Sequence, residues 1–212
     1  MFHQLWDSTD RTLFHSDVTP NETYIPSEQF GKEYPHYGAQ LDSTNFTCGR
    51  DAIKSAGATE TAALIAGSQI GFRVIPQIDV GNPYNNTIFH EGPGYIYMAK
   101  APESGLGTWV GDEGDWFKIK EWLAVDATHW SINKTWSDLN FTIPESTPPG
   151  RYLLRVEQFT FSPYVQFYVN CAQVDILGVG GGTPGPFAKF PGSYNYTDIN
   201  YSKSKERNRE VY

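Results

Sequence analysis

The chain has 212 residues and a formal net charge of −8, with only 16 Lys and Arg. That length can bury one substantial core without help from a metal or a disulfide, so a single domain is the simplest organisation. The acidic balance argues against nucleic acid, whose binding needs a basic face to displace counterions, and no apolar run is long enough to span a membrane.

Aromatic residues make up 15% of the chain, and 20 Gly and 14 Pro punctuate it. Long stretches of helical character are rare, so short strands joined by many turns are expected. An acidic, aromatic-rich surface suits neutral ligands such as carbohydrates.

In chain order, residues 69–75 read as the first clear strand, followed by 94–100 and 115–120. Pro148-Pro149-Gly150 is a turn signal, and residues 151–157 after it form the clearest strand start. In 165–176, Val165, Phe167, Val169 and Cys171 share one face, with Gln166, Tyr168 and Asn170 on the other. The apolar phase then moves to Ala172, Val174 and Ile176. Either a β-bulge near 171–173 or coverage of both faces accounts for the switch. In both cases Tyr168 points away from Cys171.

Strands and turns at this spacing predict an all-β, antiparallel β-sandwich with long loops. Residues 178–186 are an irregular Gly-rich loop without the G-x-x-x-x-G-K-[ST] pattern of a phosphate cradle. One domain is expected over residues 1–200, with a polar tail over 201–212 and no separate binding module.

Two features bear on compartment. Cys48 and Cys171 form either one disulfide or two buried thiols; a bridge would stabilise the fold by roughly 4–5 kcal/mol in the chain-entropy model. N-x-S/T sequons stand at Asn21, Asn45, Asn85, Asn133, Asn140, Asn195 and Asn200, which leans toward a secreted glycoprotein. No signal peptide is recognisable, so Met1 is expected to start either a mature chain or a reading frame lacking its first exon.

Several segments carry a family resemblance. His90-Glu91-Gly92-Pro93-Gly94-Tyr95-Ile96-Tyr97-Met98-Ala99-Lys100 fits an H-x-G-P-x-x-x-Y-M-A-K pattern. Trp116-Phe117-Lys118-Ile119, Pro149-Gly150-Arg151-Tyr152-Leu153-Leu154-Arg155-Val156-Glu157, Gln166-Phe167-Tyr168-Val169-Asn170-Cys171-Ala172-Gln173 and Phe190-Pro191-Gly192-Ser193-Tyr194 follow in order. Together they resemble auxiliary activity family 9, the fungal copper-dependent lytic polysaccharide monooxygenases once classed as glycoside hydrolase family 61. The resemblance covers most of residues 40–195, with weaker matches at Phe2, Leu5 and Trp6.

It implies an immunoglobulin-like or fibronectin-like sandwich with a flat face that lies against cellulose or a related β-glucan. It also implies one copper ion, an external electron donor, secretion and a monomer. By that resemblance His90 is a copper ligand, Tyr168 the axial ligand, Gln166 a hydrogen-bonding partner of the reacting oxygen species, and Cys48–Cys171 a disulfide. Imidazole nitrogens suit copper, and an open coordination position suits the oxygen species.

The sequence departs from the family pattern in three places. The family's first ligand is an N-terminal His three positions before the Phe matching Phe2, which falls upstream of Met1. Ser162 stands near the position of a further His, and Asp198-Ile199-Asn200 replaces D-P-G. The alternative reading is therefore an inactive relative that binds wall polysaccharide without copper chemistry.

Taken without that context, His90 reads as a structural histidine, Tyr168 as a strand aromatic and Gln166 as a solvent-facing strand residue. His3, His15, His36 and His129 have no motif around them and read as surface or capping residues. Arg155 and Glu157 read as a structural ion pair. No paired carboxylates of motif quality support glycosidase hydrolysis. Trp6, Tyr194 and Tyr201 are candidates for stacking on sugar.

Overall fold

The computed structural model describes the strand backbones at 2–7 and 13–14, and residues 35–74, 87–161 and 165–195 in full. The tail at 201–212, Ser162, His15, Tyr201 and residues 198–200 lie outside the described residues, as do the side chains of His3 and Trp6.

Two sheets form the sandwich. The smaller contains, in spatial order, β2 (Leu13–Phe14), β1 (Phe2–Asp7), β4 (Gln69–Val74) and β7 (Asp138–Thr142). The larger contains β10 (Phe187–Ala188), β6 (Trp116–Trp122), β5 (Gly94–Lys100), β8 (Gly150–Thr160), β9 (Gln166–Leu177) and β3 (Thr61–Ile65). Every pairing is antiparallel except that of β3 with β9, which is parallel. The expected strands at 69–75, 94–100, 115–120, 151–157 and 165–176 are all present within a few residues of their expected ends.

Strand β8 starts where the turn signal placed it. Gly150 has φ +132°, a conformation that side chains with a Cβ rarely adopt. From there β8 and β9 stay in unbroken register, from Gly150↔Ile176 to Thr160↔Gln166. No bulge interrupts them, so coverage of both faces explains the shift in apolar phase.

Toward the smaller sheet, Tyr168, Ala172, Val174 and Ile176 of β9 join Leu154 and Val156 of β8, Ile96 and Met98 of β5, and Ile70 and Phe72 of β4. On the outer side, Phe167, Val169 and Cys171 pack under Leu41, Phe46, Leu106, Trp116 and Phe190. Burying each large apolar side chain contributes roughly 1.5–3 kcal/mol. The two central strands are therefore pinned from both sides and make a stiff base for whatever sits at their ends.

Two short helices, α1 (Asn45–Cys48) and α2 (Ala52–Ala56), cover the outer face. The Cys48–Cys171 disulfide ties α1 to β9, with Cα atoms 5.0 Å apart and 123 positions between them in sequence. Beside it Arg155 and Glu157 are fully buried, with Arg155 Nη1 2.5 Å from Glu157 Oε2. That approach is an ion contact, since the two atoms are not aligned as a hydrogen bond. Arg155 Nε donates to the Thr47 carbonyl at 2.8 Å, its guanidinium lies 3.8 Å from the Phe190 ring centroid, and the Tyr194 hydroxyl donates to Glu157 Oε1. The pair is structural, as expected; its remaining polar atoms find partners, without which the buried charges would be strongly destabilising.

Two sequence expectations change here. His36 is not a surface residue: it is 3% exposed, exchanges backbone hydrogen bonds with Phe167 at 2.7 and 3.1 Å, and sets its ring edge-on to Phe46. Tyr194 is not free to stack on sugar, because its ring packs on Phe167 and Phe190 and its hydroxyl is committed to Glu157. In both cases the outer core, which rests on contacts distant in sequence, captured the side chain. His129 is exposed, in agreement with its surface reading.

Candidate metal centre

Strand β9 begins at one end of the sandwich with Gln166 and, two residues on, Tyr168. Spacing by two puts both side chains on the same face. The Tyr168 hydroxyl donates to Gln166 Oε1 at 2.7 Å. That bond turns the carboxamide so that its NH2 group points away from the tyrosine and remains available as a donor.

His90 arrives from the segment before β5 and is half-buried. Its ring centroid lies 6.5 Å from that of Tyr168, with 34° between the planes. The segment is fastened on both sides of the imidazole. Ile88 N donates to the Trp136 carbonyl at 2.8 Å, and Gly92 N reaches the Ile132 carbonyl at 3.4 Å. The Pro93 carbonyl accepts from Phe159 N at 3.1 Å.

The H-x-G-P motif thereby acquires a physical meaning. A Cβ at Gly92 would lie 1.8 Å from the Phe159 carbonyl oxygen, so only glycine lets the histidine segment lie against β8.

A residue that the sequence reading missed completes the support. Gln158 stands directly opposite Tyr168 in the β8–β9 register and is buried. Its Nε2 donates to the His90 carbonyl at 3.0 Å and also to the Phe159 carbonyl at 3.1 Å. The signal was present: Leu154, Val156 and Gln158 form one period-two row facing the inner core, and only the last is polar.

Burial, followed by the Lys134 charge, lowers the His90 pKa, so its imidazole is neutral and able to ligate at neutral pH. Burial also holds the Tyr168 phenol well above its ordinary value, with Tyr37 adding to the effect. It stays protonated and can offer only a weak oxygen lone pair.

Among the described residues there is no group of three or more His, Cys, Asp or Glu side chains that could hold a metal. A neutral imidazole, a phenol and an oriented carboxamide nevertheless suit copper, which favours nitrogen donors with a weak axial ligand. These residues supply two donors. The N-terminal His expected from the resemblance falls upstream of Met1, and the backbone of β1, which starts at Phe2, runs close to that of β9. Cys48 and Cys171 lie on the opposite face of β9 from Tyr168 and take no part.

Known proteins resemble the chain over most of its length. The chain is 49% identical over 176 residues to AA9 family lytic polysaccharide monooxygenase U of Thermothielavioides terrestris, covering 82% of this chain and 65% of that protein. It is 35% identical over 200 residues to AA9 family lytic polysaccharide monooxygenase G of Aspergillus tamarii, covering 90% of this chain and 58% of that one. The chain thus spans a little under two thirds of the length of these curated relatives.

Among solved structures, the crystal structure of HiLPMO9B superposes with a TM-score of 0.72 at 23% identity, covering 96% of this chain and 90% of the other. A cellulose-active polysaccharide monooxygenase from M. thermophila gives 0.71 at 21% identity, covering 98% and 91%. At that identity the superpositions speak for the sandwich fold alone. The profile of Auxiliary Activity family 9 (formerly GH61) matches residues 4–210, nearly the whole chain, and the chain belongs to that family.

Proposed function

We propose that this protein is a copper-dependent lytic polysaccharide monooxygenase that cleaves glycosidic bonds of cellulose or a related β-glucan oxidatively. The observation that carries the reading is the grouping of His90, Tyr168 and Gln166 at one end of the sandwich, with the Tyr168 hydroxyl bonded to Gln166 Oε1. His90 and Tyr168 would hold the copper. When bound, copper supplies the one-electron chemistry by which oxygen or peroxide oxidises a glycosidic carbon, with electrons drawn from an external donor.

The chain's own residues prepare that site. His90 is kept neutral by burial and held in place by Gln158 and by the anchors at Ile88 and Gly92. Tyr168 keeps its proton and commits it to Gln166, which leaves the phenol oxygen a neutral donor. With its oxygen taken by the Tyr168 hydroxyl, the Gln166 carboxamide offers its NH2 group as a hydrogen-bond donor that can hold a polar ligand.

Secretion is part of the same reading. The Cys48–Cys171 disulfide suits an oxidising compartment, and no helix among the described residues is long and apolar enough to cross a membrane.

Copper titration followed by electron paramagnetic resonance, paired with product analysis on cellulose plus a small-molecule reductant, tests the proposal. A tight mononuclear signal and oxidised oligosaccharide ends are expected, and His90→Ala should abolish both. Retained cellulose binding without copper uptake would instead support the inactive, polysaccharide-binding alternative.

A further inference from the structure

We propose that Lys134 sets the charge balance of the candidate metal centre: its ammonium group, held across from His90, favours the singly charged, reduced state of a copper ion there over the doubly charged, oxidised state. The inference rests on the copper reading above and adds a residue to it. Lys134 is a positioning residue that acts through its field rather than by contact with the metal.

Two facing segments carry the two side chains. Residues 88–92 and 132–136 are joined at both ends: Ile88 N donates to the Trp136 carbonyl at 2.8 Å, and Gly92 is bridged to Ile132. Ile88 and Ile132 are buried in the inner core and Trp136 packs against it, so neither joint can shift without disturbing that core. His90 is the midpoint of one segment and Lys134 the midpoint of the other. The Lys134 charge accordingly reaches the imidazole, second to burial among the influences that keep it neutral.

The segment around Lys134 is firmly shaped. Trp136 N donates to the Asn133 carbonyl at 3.1 Å, which closes a turn with Lys134 at its second position. Asn133 Oδ1 accepts from Thr135 N at 2.9 Å and from the Thr135 hydroxyl at 2.6 Å. Lys54, Lys118 and Lys189 each pair with a carboxylate, of Asp51, Glu121 and Asp115. Lys134 is exposed and forms no ion pair among the described residues, so its charge is not spent on a neighbour.

A positive charge repels any cation, and repels a doubly charged ion twice as strongly as a singly charged one. One electron from the external donor converts copper(II) to copper(I), and an unpaired ammonium beside His90 pulls that equilibrium toward copper(I). Water and salt weaken the field of an exposed side chain, which puts the effect at roughly two- to fivefold in the ratio of the two affinities. The chain as a whole, at −8, pulls the other way. Lys134 is a local counterweight to that negative field.

Competition against copper(I)- and copper(II)-selective chelators of known affinity, run on the full chain, reads the two dissociation constants separately. Lys134→Gln should tighten copper(II) more than copper(I), moving the ratio toward copper(II) by roughly two- to fivefold. Lys134→Glu, which reverses the charge, should move it by about the square of that factor, and Lys134→Arg should match wild type. The differences should shrink as ionic strength rises from about 0.01 M to about 1 M, a response that a purely structural role would not produce.

An identical ratio in wild type, Lys134→Gln and Lys134→Glu overturns the inference and leaves copper binding at His90 intact. An equal shift in Lys134→Arg assigns the effect to packing and overturns it as well. A wild-type chain that takes up no copper loses both the copper reading and this inference. The enzymatic reading fails separately: a protein whose ratio shifts as expected but that releases no oxidised ends from cellulose loses that reading and keeps the role of Lys134.

Discussion

Gln158 Nε2 donates to the backbone carbonyl of His90 at 3.0 Å, so an amide in the inner core holds the segment that presents the imidazole. Gln158 also faces Tyr168 across the β8–β9 ladder. One side chain on β8 thus couples the position of His90 to the strand that carries Tyr168.

Replacing Gln158 with Leu leaves the His90 and Phe159 carbonyls without this donor while keeping an apolar side chain of similar size. The expected loss of stability is about 1–3 kcal/mol, read by denaturant unfolding. Copper affinity should fall roughly 10–100-fold, the usual effect of removing support behind a metal ligand. Unchanged affinity at reduced stability would confine Gln158 to a packing role.

Tyr168→Phe removes only a hydroxyl. Gln166 then loses the bond that orients its carboxamide, at a cost of about 0.5–1.5 kcal/mol. The His90 imidazole remains, so copper should still bind, with an altered electron paramagnetic resonance spectrum and slower turnover. A spectrum identical to wild type would exclude the phenol from the metal site.

His36 predicts a pH dependence. Burial, reinforced by Arg50 and Arg155, lowers its pKa to about 3. Above the ordinary value of 6.5 both folded and unfolded chains hold it neutral, and it costs nothing. Between pH 6.5 and 3 only the unfolded chain takes up the proton, so stability falls as pH falls, by about 1.4 kcal/mol per pH unit from this group at most. Chemical unfolding from about pH 7 to about pH 4 should show that slope in wild type and a shallower one in His36→Gln.

The fold also sorts the sequons. Thr47, the hydroxyl residue of the Asn45 sequon, is fully buried and donates to the Phe190 carbonyl at 2.7 Å, while Asn45 Oδ1 accepts from Asp51 N at 3.1 Å. Asn140 instead lies exposed on β7, an edge strand of the smaller sheet. Peptide mass spectrometry of folded protein from a eukaryotic secretory host should find glycan at Asn140 and none at Asn45. Occupancy at Asn45 would contradict this packing.

Much of the molecule follows from local pattern. Period-two spacing placed Gln166 and Tyr168 on one face of a strand and Cys171 on the other, because alternation depends only on the extended backbone. The turn at Gly150 and the strand after it are equally local. Ordered motifs supplied the family, and with it the expectation of a Cys48–Cys171 bridge.

Tertiary structure decided what depends on residues far apart in sequence. Packing on both sides of β8 and β9 made their apolar phase shift a matter of burial, which one strand cannot reveal. Phe46 and Phe167 drew His36 inside, and Glu157 claimed the Tyr194 hydroxyl across 37 positions. Gln158 reaches His90 across 68 positions and Trp130 meets Phe161 only once both neighbouring strands are in place. Residue types and alternation follow from the sequence by itself, whereas partners are set by the close packing of elements whose contacts no local pattern encodes.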